Sequence, residues 1–141
     1  MANNNTQAYI ILGRWLLGLY FLLPGIGKFA AWDKTIAMME VHNIPYAAML
    51  MAIAGVAQII GALLLMSNRY VRFASLGFVL YIVLINLMMH DFWNFADLVR
   101  AHETQNFFKN LGILAGLLVL AGFSVKRPLS LGGLAKSDKI F

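Results

Sequence analysis

The chain has 141 residues, of which 61% are hydrophobic and only 12% are charged, and its formal net charge is +5. The surface of an ordinary soluble domain carries more charge than this, so the composition indicates a protein embedded in a lipid bilayer. Because the chain has no cysteine, structural disulfides, thiolate metal ligands and thiol nucleophiles are excluded. The basic residues are spread along the chain rather than gathered in one stripe, so the positive charge does not indicate nucleic-acid binding.

Four apolar stretches are long enough to cross a membrane, since a bilayer core about 30 Å thick needs about 20 helical residues. We predict transmembrane helices over about residues 8–28, 45–66, 70–90 and 106–125. The first stretch has no basic segment before it and carries Arg14 within it, which favours a retained helix over a cleaved signal peptide. The predicted fold is therefore all-α: a four-helix transmembrane bundle forming a single membrane domain over residues 1–141.

The two connections on the side opposite the termini, residues 29–44 and 91–105, are too apolar to be simple solvated loops. Their hydrophobic residues can each line one side of a short helix, so we predict interfacial helices in both connections. Aromatic side chains at such a boundary are typical of membrane anchors.

The distribution of basic residues predicts the orientation. Seven of the 11 Lys and Arg residues fall on the side of the predicted bundle that carries both termini. Cytoplasmic segments of membrane proteins are enriched in Lys and Arg, so both termini are predicted to be cytoplasmic.

Two polar residues within the predicted spans are interpreted as structural, because polar side chains in hydrocarbon need a partner. Arg14 lies close enough to the interface for its side chain to reach back to it, although a buried position is an equal alternative. Gln58 falls near the middle of the second span, where an amide typically forms an interhelical hydrogen bond.

A polar layer is predicted near the external ends of the helices. Asn86 and His90 are four residues apart on the third span, and Asn106 and Asn110 are four apart on the fourth, so each pair shares a helix face. Lys28 ends the first span at the same level. All three histidines are on this side, but their spacing matches no metal-binding motif, and we predict no specific metal site.

Small residues on the helices are interpreted first as packing positions. Gly112 and Gly116 form a GxxxG pattern, and Ala57 and Gly61 form a similar pair, which lets helix backbones approach closely in lipid. The primary expectation is packing within the bundle; a homo-oligomer contact is the secondary one.

Three segments carry a resemblance to a known family. The stretch RWLLGLYFLLPGIGK from Arg14 to Lys28, then AGVAQIIGALLL around Gln58, and finally NFFKNLGILAGLL with Asn110 resemble the DoxX family of small bacterial four-helix membrane proteins. Members of that family commonly have an acidic residue in the second helix, where this chain has Gln58, so a proton-carrying role at that position is in doubt.

The resemblance implies a multi-pass protein of the bacterial inner membrane, and a subunit of a quinone-linked or redox-stress-associated oxidoreductase. The cofactor stays open, with a quinone as the candidate, and the residues predicted to bind or border a ligand are Lys28, Asn86, His90, Trp93, Phe107 and Asn110. The alternative is a non-catalytic subunit or scaffold that docks a partner protein. A metal-binding or small-molecule transport role is less favoured, since no Asp or Glu lies within the predicted spans. Whether the chain is itself an enzyme stays open.

Overall fold

The fold is all-helical in the computed structural model, which describes residues 4–139. Within that range it contains five α-helices and two short 3-10 turns, the turns being Phe92–Asn94 and Leu131–Ala135. The α-helices are α1 (Asn4–Ala30), α2 (Trp32–Val41), α3 (Ala47–Met66), α4 (Val71–Met88) and α5 (Asp97–Phe123). Helices α1, α3, α4 and α5 are long and apolar enough to cross a membrane, which confirms the predicted four-helix class.

The bundle has two distinct ends. The cap side carries α2 and the turn Phe92–Asn94, and the tail side carries the start of α1, the segment after α5 and the loop 67–70 between α3 and α4. The predicted interfacial helix of the first connection is α2. The second connection contains only the single 3-10 turn, because its later residues belong to α5.

Helix α5 begins at Asp97, whereas the sequence predicted a start near residue 106. Residues 97–105 contain neither glycine nor proline, and Asp97 places a negative charge in the first turn, where it stabilises the positive end of the helix dipole. A criterion based on apolar runs misses such a polar extension. Helix α5 therefore places Glu103 and His102 directly above the membrane-spanning part.

Packing proceeds through neighbouring pairs: α1 lies against α3, α4 lies against α5, and α3 joins α4 more lightly. The centre of the core is the stacked pair of Phe21 and Phe78, whose ring centroids are 3.8 Å apart. Leu65, Ile82 and Leu117 are fully buried around them. Because α1 and α5 have their main partners elsewhere, an open space remains between these two helices.

Glycines allow α1 and α3 to approach closely. A Cβ atom at Gly25 would stand 3.0 Å from Gln58 Cβ and 3.4 Å from the backbone oxygen of Gly55. A Cβ atom at Gly61 would likewise clash with the ring of Phe78, so Gly61 is a packing position, as predicted. The prediction that Gly112 and Gly116 pack within the bundle is wrong, because a Cβ atom at either would meet nothing within 4 Å.

Replacing Gly25 with leucine should therefore destabilise the bundle by about 1 to 3 kcal/mol, since the added atoms push α1 away from α3. Gly122→Leu is the matched control, because nothing lies within 4 Å of a Cβ atom there. The measurement is unfolding of the detergent-purified variants followed by circular dichroism. Equal stability of the two variants would contradict the close α1–α3 approach.

Candidate functional site

A cavity of about 480 Å³ opens between α1, α4 and α5 in the half of the bundle nearer the cap side, and we call it the cap-side pocket. Its wall is mainly apolar, with Leu16, Phe21 and Ile82 among the lining residues. The polar side chains that line it are Tyr20, Lys28, Gln58, Tyr81, His90 and Asn110. This combination of an apolar wall and a few convergent polar groups is the usual make-up of a small-molecule site.

Three of the six residues predicted from the sequence, Lys28, His90 and Asn110, line this pocket. Asn86 lies one hydrogen bond behind Asn110. Trp93 and Phe107 do not line it, although their rings contact each other with centroids 6.3 Å apart. Trp93 is half exposed, so its position fits a membrane anchor better than the border of a site.

The two asparagines form an amide pair between helices. Asn110 Nδ2 donates to Asn86 Oδ1 at 2.8 Å, and Asn86 Nδ2 donates to the backbone oxygen of Phe107 at 3.1 Å. Tyr20 adds α1 to this network, because its hydroxyl donates to Asn110 Oδ1 at 3.2 Å. The network joins α4 to α5 in the membrane interior, and it closes one end of the cap-side pocket.

His90 and Asn106, which were predicted to share a polar layer with Asn86 and Asn110, do not join the amide pair. His90 Nδ1 lies 2.6 Å from Glu103 Oε2, while Glu103 Oε1 is 3.2 Å from Nδ1 of the exposed His102. Asn106 is 3.3 Å from that same His102 nitrogen, so it does not join Asn110 in the pocket. His90 is thus held by a carboxylate on the first turns of α5.

A second histidine–carboxylate pair ties α2 to the turn that follows α4. His42 Nδ1 lies 2.7 Å from Asp91 Oδ1, and Asn94 Nδ2 donates to Asp91 Oδ2 at 2.6 Å. The ring of Phe95 packs against His42. This cluster fixes the cap over the helix ends. Across residues 4–139, no group of three or more His, Asp or Glu side chains is arranged to hold a metal ion.

Lys28 and Gln58 differ from these satisfied groups. The Lys28 ammonium is 5.9 Å from the centre of the Tyr81 ring, and it forms no ion pair or hydrogen bond with the described part of the chain. Gln58 is only 2% exposed, and its Oε1 has no hydrogen-bond partner among residues 4–139. The predicted interhelical hydrogen bond of Gln58 is therefore not formed. Both unsatisfied groups line the cap-side pocket.

Arg14 is buried rather than extended to the interface. It is 4% exposed, and its Nη1 donates to the backbone oxygen of Leu65 at 3.4 Å. Leu65 is in the last turn of α3, where carbonyl oxygens lack partners within the helix and attract positive charge. Of the two positions that the sequence left open for Arg14, the structure has the buried one.

The tail is anchored by an interaction that the sequence analysis missed. Asp138 Oδ2 accepts a hydrogen bond of 2.7 Å from the backbone N–H of Val71, the first residue of α4. Arg127 Nε lies 3.0 Å from Asp138 Oδ1, and the Arg127 guanidinium stacks 4.2 Å from the centre of the Tyr70 ring. Hydrogen bonds with Ser130 hold the pKa of Tyr70 below its ordinary value. The tail thereby caps the start of α4.

Some pocket residues that were missed carry a positional signal. Tyr20 and Pro24, which were missed, precede the predicted Lys28 by eight and four residues and so lie on the same face of α1. Glu103 is seven residues before Asn110, which puts both on the same face of α5 once α5 is known to begin at Asp97. Asp138 offers no comparable signal, because its partner lies 67 residues away along the chain.

Four membrane-spanning helices, closed on one side by a short helix and a turn, define a multi-pass membrane protein with a partly polar pocket between its helices. The DoxX family model matches residues 9–91, and the chain belongs to that family. The chain is also 24% identical over 112 residues to the inner membrane protein YphA of Escherichia coli (strain K12), a match covering 79% of this chain and 80% of that protein. No solved structure matches the chain. The protein is accordingly a multi-pass protein of the inner membrane.

Proposed function

We propose that the cap-side pocket binds a quinone-like molecule and that the chain is a membrane subunit of a redox system. The observation that supports this proposal best is the buried, unpartnered Oε1 of Gln58, which lines the same cavity as the half-buried Lys28. A buried polar atom without a partner costs about 1 to 3 kcal/mol, so a ligand that supplies the missing partners gains affinity there. The cavity volume of about 480 Å³ is within the usual range for small-molecule sites.

The polar groups suit the two oxidation states of a quinone. A quinone carbonyl accepts hydrogen bonds, which the Lys28 ammonium can donate. A quinol hydroxyl donates, and Gln58 Oε1 is an acceptor without a donor. The apolar walls of the pocket accommodate the ring, and its position among transmembrane helices allows an isoprenoid tail to remain in the lipid.

His90 is the residue best placed to exchange a proton with such a ligand. Its Nδ1 is engaged by Glu103, which leaves Nε2 as the ring nitrogen available to a ligand in the pocket. Glu103 also contacts His102, whose side chain is 69% exposed. Because the chain has no cysteine, the electrons would be exchanged with a partner protein rather than with a dithiol of this chain.

A non-catalytic subunit that docks a partner is the second candidate, and it is favoured by the exposed apolar side chains on the cap side. Leu98 is 86% exposed, Val41 66% and Trp93 51%. Such a surface is typical of a protein contact or of immersion in the headgroup region. If the chain has this function, the cap-side pocket is a packing defect without a ligand, and the exposed apolar surface of the cap side binds the partner protein.

The two candidates differ in how the pocket responds to substitution. Lys28→Met and Gln58→Leu should each raise the Kd for decylubiquinone about 10- to 100-fold, through loss of one hydrogen bond in a desolvated site. Lys34→Met is the matched control, because Lys34 is an exposed lysine of α2 outside the pocket. The measurement is quinone titration of detergent-purified protein followed by tryptophan fluorescence. Equal Kd values for all four proteins, or no binding by the parent, would contradict the quinone site and leave the docking function ahead.

We also propose that both termini face the cytoplasm, because the tail side carries seven of the 11 basic residues. Single cysteines at the exposed positions Ser67, Ala101 and Ser137 can be probed in intact cells with a membrane-impermeant thiol reagent. Labelling of Ala101→Cys alone is expected. Labelling of Ser67→Cys and Ser137→Cys with protection of Ala101→Cys would show the opposite orientation and contradict this proposal.

A further inference from the structure

A second cavity, larger than the cap-side pocket, is a slot of about 810 Å³ between α1 and α5. It runs from the level of Lys109 to the tail side, where Asn68 and Asp138 border it. The residues of α1 and α5 that shape its walls include Gly13, Arg14, Leu17, Gly112, Gly116 and Leu120. The slot exists because α1 packs mainly against α3 and α5 packs mainly against α4.

The glycines of the slot have no role in packing this chain. A Cβ atom at Gly13, Gly112 or Gly116 would meet nothing within 4 Å, so none of them is needed for helix contact. Glycine inside a helix costs about 1 kcal/mol relative to alanine. Their effect is to keep the slot wide along its length.

Arg14 places a buried positive charge, without an ion pair within the described chain, beside the slot. The side chain is 4% exposed, its only hydrogen bond goes to the Leu65 oxygen, and its Nε has no partner among residues 4–139. In the same range no carboxylate lies within ion-pair distance of it. Asp138 borders the slot, but it is already held by Arg127 and by the N–H of Val71. Asp138 attracts Arg14 only from beyond ion-pair distance, so the buried guanidinium is incompletely neutralised and an anion in the slot would stabilise it.

We propose that this slot binds an anionic phospholipid, with an acyl chain lying along Gly112 and Gly116 and the phosphate held by Arg14. The guanidinium contacts the Leu65 oxygen one residue before α3 ends at Met66, so it lies near the tail-side end of the membrane-spanning helices, within reach of a lipid headgroup. Lys139 also borders the slot on the tail side and adds a second positive charge. Basic pockets between transmembrane helices near one interface are a common form of site for acidic lipids.

A second copy of this chain is a weaker candidate for the occupant, although glycine-lined faces also suit helix pairs. The chain has six acidic residues, and five of them precede the membrane-spanning part of α5 or belong to the cap side. Asp138 is the only one on the tail side, and its oxygens are engaged within its own chain. A partner copy therefore has no free carboxylate to offer Arg14, whereas a phospholipid carries a phosphate.

The test is native mass spectrometry of detergent-purified full-length protein mixed with phosphatidylglycerol or with phosphatidylcholine. Gly116→Leu adds a side chain to the wall of the slot at a position where a Cβ atom meets nothing within 4 Å, and it should reduce retained phosphatidylglycerol at least tenfold. Gly122→Leu is the matched control, because it adds the same side chain to the same helix outside the slot, and it should retain lipid like the parent. Equal retention by the two variants would overturn the proposal.

The headgroup is tested by charge removal. The parent should prefer phosphatidylglycerol over phosphatidylcholine, and Arg14→Gln and Lys139→Gln should reduce that preference while Gly122→Leu keeps it. If Arg14→Gln does not fold, Lys139→Gln and the glycine pair still decide the outcome. Equal retention of both lipids by the parent would overturn the proposal, as would a parent dimer that Gly116→Leu converts to a monomer without loss of lipid.

Discussion

The constraint on which this structure depends is that a polar group within a bilayer has no water to satisfy it and must find a partner in the protein. The hydrogen bonds between Asn86 and Asn110 meet this requirement and, in doing so, fix how α4 lies against α5. Arg14 meets it only in part, through the Leu65 oxygen at the end of α3. The apolar core around Phe21 and Phe78 supplies packing, but these polar contacts decide which helix faces meet.

The same constraint separates structural groups from candidate functional ones. The amides of Asn86 and Asn110 are engaged, whereas Lys28 and Gln58 line the cap-side pocket without hydrogen bonds from the described chain. The two cavities then differ in chemistry: the cap-side pocket contains donors and an acceptor suited to a redox-active ring, and the slot between α1 and α5 contains long apolar walls and a buried cation. The proposed quinone and lipid sites therefore differ in the ligand chemistry that they suit, although Leu16 lines both cavities.

Much of the fold could be predicted from the sequence, because length and hydropathy alone define four spans, and Lys28, His90 and Asn110 were placed at one level by helical spacing. The remainder depends on which helices are neighbours. The open positions of Gly112 and Gly116 follow from the separation of α1 and α5, and no local pattern encodes that separation. The same holds for Gln58, whose amide lacks a partner because of how α1, α3 and α4 meet, and for Asp138, which caps a helix far away in the chain.

Engaged amides should hold the bundle together, whereas Gln58 should serve a ligand. Thermal unfolding of Asn86→Leu and Gln58→Leu in one detergent without added quinone separates these two roles. Asn86→Leu leaves Asn110 Nδ2 without a partner and removes the side-chain hydrogen bond to the Phe107 oxygen, so it should lose about 1 to 3 kcal/mol and unfold at a lower Tm. Gln58→Leu removes an amide whose buried oxygen has no partner, and its Tm should equal or exceed that of the parent. A Tm for Gln58→Leu as low as that for Asn86→Leu would contradict the account.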